Sequence, residues 1–176
     1  MLKDELVDCG AVKFGDFTLT SGKKSKYYVD VKQASTVPRI LRQIADTMKT
    51  KLGDAQMLAG VELGAVPILA AVALASNLPY AIIRKGERTH GTGKTVEGQP
   101  VKGKRVVVIE DVTTTGSSVL KAVEILRAEG ATVNRVETVV DRGEGATEAL
   151  RAMNVSLGAC VSSQDLLTMS VGGARR

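Results

Sequence analysis

Apolar positions along the chain change period in a regular order. In PRILRQIADTMKTKL, which begins at Pro38, the residues Ile40, Ile44, Ala45 and Met48 recur at the steps that line one helical face. Pro38 suits the first turn of such a helix, and Gly53 follows its end closely. The short apolar runs Met57 to Val61 and Tyr80 to Arg84 flank Ala65 to Ala75, which predicts strand, helix, strand. The order repeats with a strand over Arg105 to Ile109, a helix over Ser117 to Glu129 ended by Gly130, and a strand over Val133 to Val140. A short helix over Ala146 to Met153 and a last strand over Val155 to Val161 complete it. Alternating units of this kind predict an α/β fold whose parallel sheet is covered by helices on both faces. Ahead of them, Leu2 to Cys9 predicts an amphipathic helix. Phe17 to Thr20 and Lys26 to Val31 predict a small hairpin around a Ser-Gly-Lys-Lys turn.

One segment breaks the rhythm. Between Arg84 and Lys104, KGERTHGTGKTVEGQPVKG has five glycines, no apolar periodicity and many basic and hydroxyl side chains. A long irregular loop in a compact domain is either a functional lid or disordered.

Composition narrows the partners. With 176 residues, 44% of them apolar, the chain suits one compact domain. Its 24 basic residues are interleaved with 19 acidic ones for a net charge of +5, and three Tyr and two Phe are all it has for base stacking. That balance favours a small anionic ligand over a nucleic-acid groove. Cys9 and Cys160 form no C-x-x-C pair, so neither a disulfide framework nor a zinc site is expected. MLKDELVDCG does not resemble a signal peptide. The apolar run Leu63 to Ala75 is short of the about 20 residues that span a bilayer. A soluble, cytoplasmic protein with no membrane partner is expected.

The stretch VVVIEDVTTTGSS, Val106 to Ser118, carries the chemistry. In an open parallel sheet, ligands sit beyond the carboxyl ends of the strands, and Glu110 and Asp111 are placed there. The next helix is expected to start near Gly116 or Ser117, and its unpaired N–H groups and dipole favour an anion such as phosphate. Gly116 allows close backbone approach, and Thr113, Thr114, Thr115, Ser117 and Ser118 supply short hydroxyl donors. The carboxylates repel phosphate but suit vicinal hydroxyls or a metal ion brought by the substrate. A phosphate with two hydroxyls a short way off describes a ribose 5-phosphate. The competing expectation is that Thr and Ser merely cap the helix. Other phosphate motifs fail: Gly93-Lys94-Thr95 ends like a Walker A loop, but Arg88 stands where its first glycine belongs, and no G-x-G-x-x-G opens a helix.

An apolar strand followed by E-D-x-T-T-T-G-x-S resembles the phosphoribosyl diphosphate signature of the type I phosphoribosyltransferases. FTLTSGKKSKYYVD, IIRKGERTHGTG and VVDRGEG further resemble the orotate phosphoribosyltransferases, so that the likeness runs from about Phe14 to Gly145. The resemblance implies the type I phosphoribosyltransferase fold: a single domain with a five-stranded parallel core, helices on its flanks, a small N-terminal hood over about residues 1–35 and a flexible lid over about 85–104. It implies transfer of phosphoribosyl from 5-phosphoribosyl 1-diphosphate to orotate, with Mg²⁺ carried mainly by the diphosphate. Glu110 and Asp111 would then hold the ribose hydroxyls, and Val112, Thr113, Thr114, Thr115, Gly116, Ser117 and Ser118 would surround the 5-phosphate. Arg84, Lys85, Arg88 and His90 would contact diphosphate, the lid reaching across a homodimer, while Thr114 and Arg142 would orient orotate. Lys85, Arg88, His90 and Asp111 are the catalytic candidates.

These residue types suit that reaction. Breaking the bond from C1 to diphosphate leaves a cation-like ribose and a departing polyanion, so cations held where charge develops lower the barrier. A closing loop also excludes water. His90, the one histidine, has an ordinary pKa of about 6.5 and could donate a proton to diphosphate. Arg142 would otherwise be a solvated loop charge. Three positions depart from the family pattern. Thr20 stands where a lysine is common, leaving Lys23, Lys24 or Lys26 to substitute; Gly64 replaces another lysine; and Arg88 replaces a lysine with different donor geometry. The alternatives are a transferase for another base, or a regulator of this fold that senses phosphoribosyl diphosphate and binds nucleic acid.

Overall fold

The computed structural model describes residues 1–18, 24–86 and 95–172. In chain order its elements are α1 (Leu2–Asp8), β1 (Val12–Thr18), β2 (Lys24–Val29), α2 (Val31–Ser35), α3 (Pro38–Lys49), β3 (Met57–Val61), α4 (Val66–Ser76) and β4 (Tyr80–Ile83). There follow β5 (Val96–Gly98), β6 (Arg105–Thr113), α5 (Ser117–Ala128), β7 (Thr132–Asp141), α6 (Ala146–Ala152), β8 (Ser156–Ser162) and α7 (Ser163–Gly172).

The main sheet has the order β5-β4-β3-β6-β7-β8. Five neighbouring strands from β4 to β8 run parallel, and β5 is added antiparallel at the edge. Strand residues alternate between two apolar layers, because successive side chains point to opposite faces. Met57, Ala59 and Val61 pack with α5 and α6, through Val119, Val123, Leu126 and Leu150. Leu58, Val107 and Ile109 pack on the other face, with Leu6, Ile40, Ile44, Met48, Leu69 and Leu166 of α1, α3, α4 and α7. The expected α/β fold with a parallel core is thus present. Strands succeed one another outward in one direction from β3 and in the other from β6, so the loops after β3 and β6 part to leave a crevice at the reversal of order.

Several expected boundaries move. The first hairpin strand starts at Val12, five residues before Phe17, and pairs antiparallel with β2 in a separate two-stranded sheet. The second ends at Val29, because Asp30 accepts from the Lys32 amide and caps α2, whose first residue is Val31. Within the stretch expected to be irregular throughout, Val96–Gly98 pairs with Ala81–Ile83, and Val101 is buried. A three-residue strand has too short a pattern to stand out from a glycine-rich run. β6 continues past Ile109 to Thr113, held by β7 through Thr113 opposite Asp141, so Glu110 and Asp111 belong to the strand itself. α2 and α7 have no counterpart among the elements that the apolar pattern predicts. Expectations for Thr20, Lys23, Arg88, His90, Gly93 and Lys94 concern positions outside the described residues.

Candidate active site

The loop that follows β6 joins a strand to a helix without using its hydroxyls as caps. The N-cap of α5 is Gly116, with φ 86° and no side-chain capping bond. A positive φ of that size favours glycine, and a Cβ there would meet Ala146 Cα at 3.1 Å. The capping explanation for the threonines and serines therefore fails. Ser117 and Ser118 are exposed and Thr114 is half-buried, at a helix start whose backbone N–H groups and dipole suit an anion. Thr113 is spoken for: buried, it donates to Asp141 Oδ1 at 3.0 Å, and Asp141 also accepts from the Gly143 amide. Thr113 thereby joins the ends of β6 and β7, and its hydroxyl is engaged within the fold.

Glu110 and Asp111 alternate across the strand but interact. Glu110 is 5% exposed and its Oε1 accepts from the Asp111 amide at 3.1 Å. Burial, reinforced by the neighbouring Asp111 carboxyl, pushes the pKa of Glu110 up to about 8. Asp111 accepts from the Val112 amide at 2.8 Å, and its carboxylate lies directly over Gly64, where a Cβ would fall 2.0 Å from Oδ2. This contact gives Gly64 its physical reason: any side chain there would displace the acid. Two carboxyl groups, one readily protonated, can donate to and accept from a diol, and Asp111 can lend an oxygen to a substrate-borne cation.

Across the crevice, the end of β4 carries the base of the expected lid. Glu62, in the loop after β3, accepts from the Lys85 amide at 2.6 Å and pairs with Arg84 Nε at 2.7 Å. Arg84 also approaches Glu97 at 3.4 Å, so two carboxylates face the charge predicted to meet diphosphate. Lys85 borders a cavity of about 360 Å³ with Gly86, Ser117, Ser118 and Lys121, floored by Val61, Ile83 and Ile125. A wider cleft of about 680 Å³, lined by Leu74, Asn77, Tyr80 and Gln99 among others, shares no residue with these loops.

Arg142 follows β7, and its backbone N–H bonds to the Thr113 carbonyl at 2.9 Å. Its side chain is 9% exposed, so it is no solvated loop charge. Thr114, the other residue expected at the base, accepts from the Ala146 amide through its carbonyl at 3.2 Å.

Of the lysines expected to replace the one absent at Thr20, the two that are described, Lys24 and Lys26, are engaged within the hairpin. Lys24 donates to Thr18 and Lys26 pairs with Asp16 at 2.6 Å. Lys32, bound to Asp30 at 2.8 Å, has its pKa raised chiefly by that bond and, to a smaller degree, by the Asp111 charge. Sequence reasoning misses both Lys32 and Lys121. Lys121 has a usable signal, since it stands one helical turn after Ser117 and shares its face. The Asp141 link to Thr113 has none, because it depends on how two strands register.

Residues 30–155 match the family model for the phosphoribosyl transferase domain. The orotate phosphoribosyltransferase of Natronomonas pharaonis is 51% identical over 94% of this chain and 95% of its own length. The crystal structure of orotate phosphoribosyltransferase from Aeropyrum pernix superimposes with a TM-score of 0.87 at 38% identity, over 96% of this chain and 97% of that one. The Mycobacterium tuberculosis orotate phosphoribosyltransferase in complex with 5-phospho-α-D-ribosyl 1-diphosphate gives 0.79 at 32% identity, covering 94% and 96%. With most of its length matched in sequence and in fold, the chain belongs to the orotate phosphoribosyltransferase family.

Proposed function

We propose that this chain transfers the 5-phosphoribosyl group of 5-phosphoribosyl 1-diphosphate to orotate, giving orotidine 5′-phosphate and diphosphate, a step of pyrimidine nucleotide synthesis. The observation that carries this reading is the glycine-capped start of α5, whose hydroxyls are free of capping duty and which adjoins the carboxyl pair on β6.

In this reading the 5-phosphate is held by backbone N–H groups from Thr113 to Ser118 and by the hydroxyls of Thr114, Thr115, Ser117 and Ser118. Glu110 and Asp111 grip the ribose hydroxyls. The orotate ring nitrogen then attacks C1 as the bond to the diphosphate oxygen breaks, and the electron pair leaves with diphosphate. Lys85, with Arg88 and His90 farther along the lid, stabilises the developing negative charge, and His90 is the candidate proton donor to it. Arg84 contributes less, because Glu62 and Glu97 already face its charge. Arg142 pairs with the orotate carboxylate, beside Thr114. Two adjoining carboxyl groups supply too few oxygens for an octahedral Mg²⁺ shell, so the ion would arrive on the diphosphate and keep other oxygens from it and from water. The assembly we infer is a cytoplasmic homodimer in which each lid reaches the partner's site. No described helix is long and apolar enough to cross a membrane.

The test is orotate consumption followed spectroscopically with and without Mg²⁺, beside parallel assays with uracil and adenine. Turnover of orotate that requires Mg²⁺ is expected; turnover of uracil or adenine alone would defeat the base assignment, and salt-dependent nucleic-acid binding without turnover would favour the regulator. In the same assay Lys85→Ala should lose at least about 100-fold in kcat, as removal of one charge-stabilising donor does. Its circular dichroism should be unchanged, and unaltered turnover would remove the base of the lid from the mechanism.

A further inference from the structure

Arg142 is gripped on three sides. Its Nε lies 3.0 Å from Glu144 Oε1, in ion-pair contact though not aligned as a hydrogen bond. Its Nη2 donates to Ser25 Oγ at 3.2 Å, and the guanidinium carbon stands 5.2 Å from the centre of the Tyr27 ring. The Tyr27 hydroxyl in turn donates to the Arg142 carbonyl at 3.4 Å, which ties the hairpin to the loop after β7.

A guanidinium presents five N–H donors in one plane. Tyr27 covers a face of that plane, Glu144 occupies the Nε side and Ser25 takes one proton of Nη2. Among the described residues, Nη1 has no hydrogen-bond partner. The protons of Nη1 and the second proton of Nη2 remain as donors, and an Nη1–Nη2 edge is a fork able to meet a carboxylate with two parallel bonds.

Charge alone makes Glu144 the wrong neighbour for a site that receives an anion, because it offsets the arginine. We propose that Glu144 is a positioning residue for base recognition: held at Nε, it fixes the rotation of the Arg142 guanidinium so that the Nη1–Nη2 edge faces the incoming carboxylate, while Tyr27 sets its plane. This rests on the reading of Arg142 as the partner of the orotate carboxylate. Its distinguishing consequence is one of sign. If Glu144 acted only through charge, its removal would tighten orotate binding; if it orients Arg142, removal weakens binding although the site becomes more positive.

The experiment is steady-state kinetics of Glu144→Gln with orotate and phosphoribosyl diphosphate varied separately, beside thermal melting. The expected result is an orotate KM raised by about 10-fold, as loss of one charge-assisted constraint gives. The phosphoribosyl diphosphate KM and the melting temperature should be unchanged. Glu144→Asp, which keeps the charge but draws it back by one methylene, should show the same split. An orotate KM that is unchanged or lowered overturns the proposal, as does a rise in both KM values together with a lower melting temperature. Should Glu144→Gln fail to fold, Ser25→Ala removes the Nη2 anchor instead; a several-fold rise in orotate KM is expected, and none overturns it. Arg142→Lys separates the layers: if orotate KM ignores that change, the reading of Arg142 itself has failed, whatever Glu144 does.

Discussion

At the end of the crevice that we assign to phosphate the acids and hydroxyls come from one run of the chain, Glu110 to Ser118, whereas at the end that we assign to the base Arg142 is held by Tyr27, 115 positions away, and by its near neighbour Glu144. The first is a product of local chain physics. A strand, a glycine with positive φ and a helix start follow one another, and each imposes the direction in which its polar groups face. The second exists only when the hairpin of β1 and β2 lies against the loop after β7. A ligand that bridges both ends therefore joins a locally determined cradle to one that depends on tertiary packing.

The largest kinetic effect that would sharpen this contrast is expected from Asp111→Asn. The amide keeps the size that fits over Gly64 and an oxygen to accept from the Val112 N–H, so the fold should persist. It loses the ionic acceptor, and kcat/KM for phosphoribosyl diphosphate should fall by about 100-fold, near 3 kcal/mol. The KM for orotate should hold. Equal damage to both substrates in initial-rate kinetics would break the division into two ends.

The same contrast governs how much of the molecule is legible in its sequence. The five parallel strands and the phosphate loop can be read there because long apolar runs and a strand-glycine-helix junction have few other solutions. The partners of Arg142 cannot, because a bare sequence holds no term for contacts between Ser25, Tyr27 and a loop more than a hundred residues on. Nor can the role of Gly64: as a departure from the family pattern it looks like a lost cation, yet the Asp111 carboxylate occupies the space a side chain would need. The edge strand Val96–Gly98 is hidden by its brevity, and the extension of β6 through the two acids is hidden because charged residues end most sequence-based strands.

An effect on stability rather than on turnover probes the phosphate end without ligand. Glu110 has its folded pKa raised to about 8 from an ordinary 4.5, mainly by burial. Such a group contributes stability that is fully present below the unfolded pKa and is lost as pH rises through the folded one. Glu110→Gln mimics the protonated acid and still offers an oxygen to the Asp111 amide. Relative to wild type the variant should differ by no more than about 1 kcal/mol at pH 5 and be more stable at pH 9 by about 4 kcal/mol, the order set by a rise of this size in a buried group. Urea melts at the two pH values read this directly. A difference that does not grow with pH would mean that Glu110 is ionised in the free protein, and that the acid pair is open to water as the base end is not.

The smallest effect is expected from Lys26→Ala, on the outer surface of the hairpin. Its ion pair with Asp16 has side chains 75% and 83% exposed, and pairs of that kind contribute about 0.2–1 kcal/mol or nothing measurable. The melting temperature should scarcely move. Kinetics make the variant useful: Lys26 is one of the lysines able in principle to replace the cation absent at Thr20, yet in the free protein it is turned to Asp16, while Lys32 is the lysine that feels the Asp111 charge. An unchanged KM for phosphoribosyl diphosphate keeps the hairpin a base-end element alone. A KM raised several-fold would show that the hairpin swings its lysine to the diphosphate on binding, and the two ends of the crevice would then share a moving part.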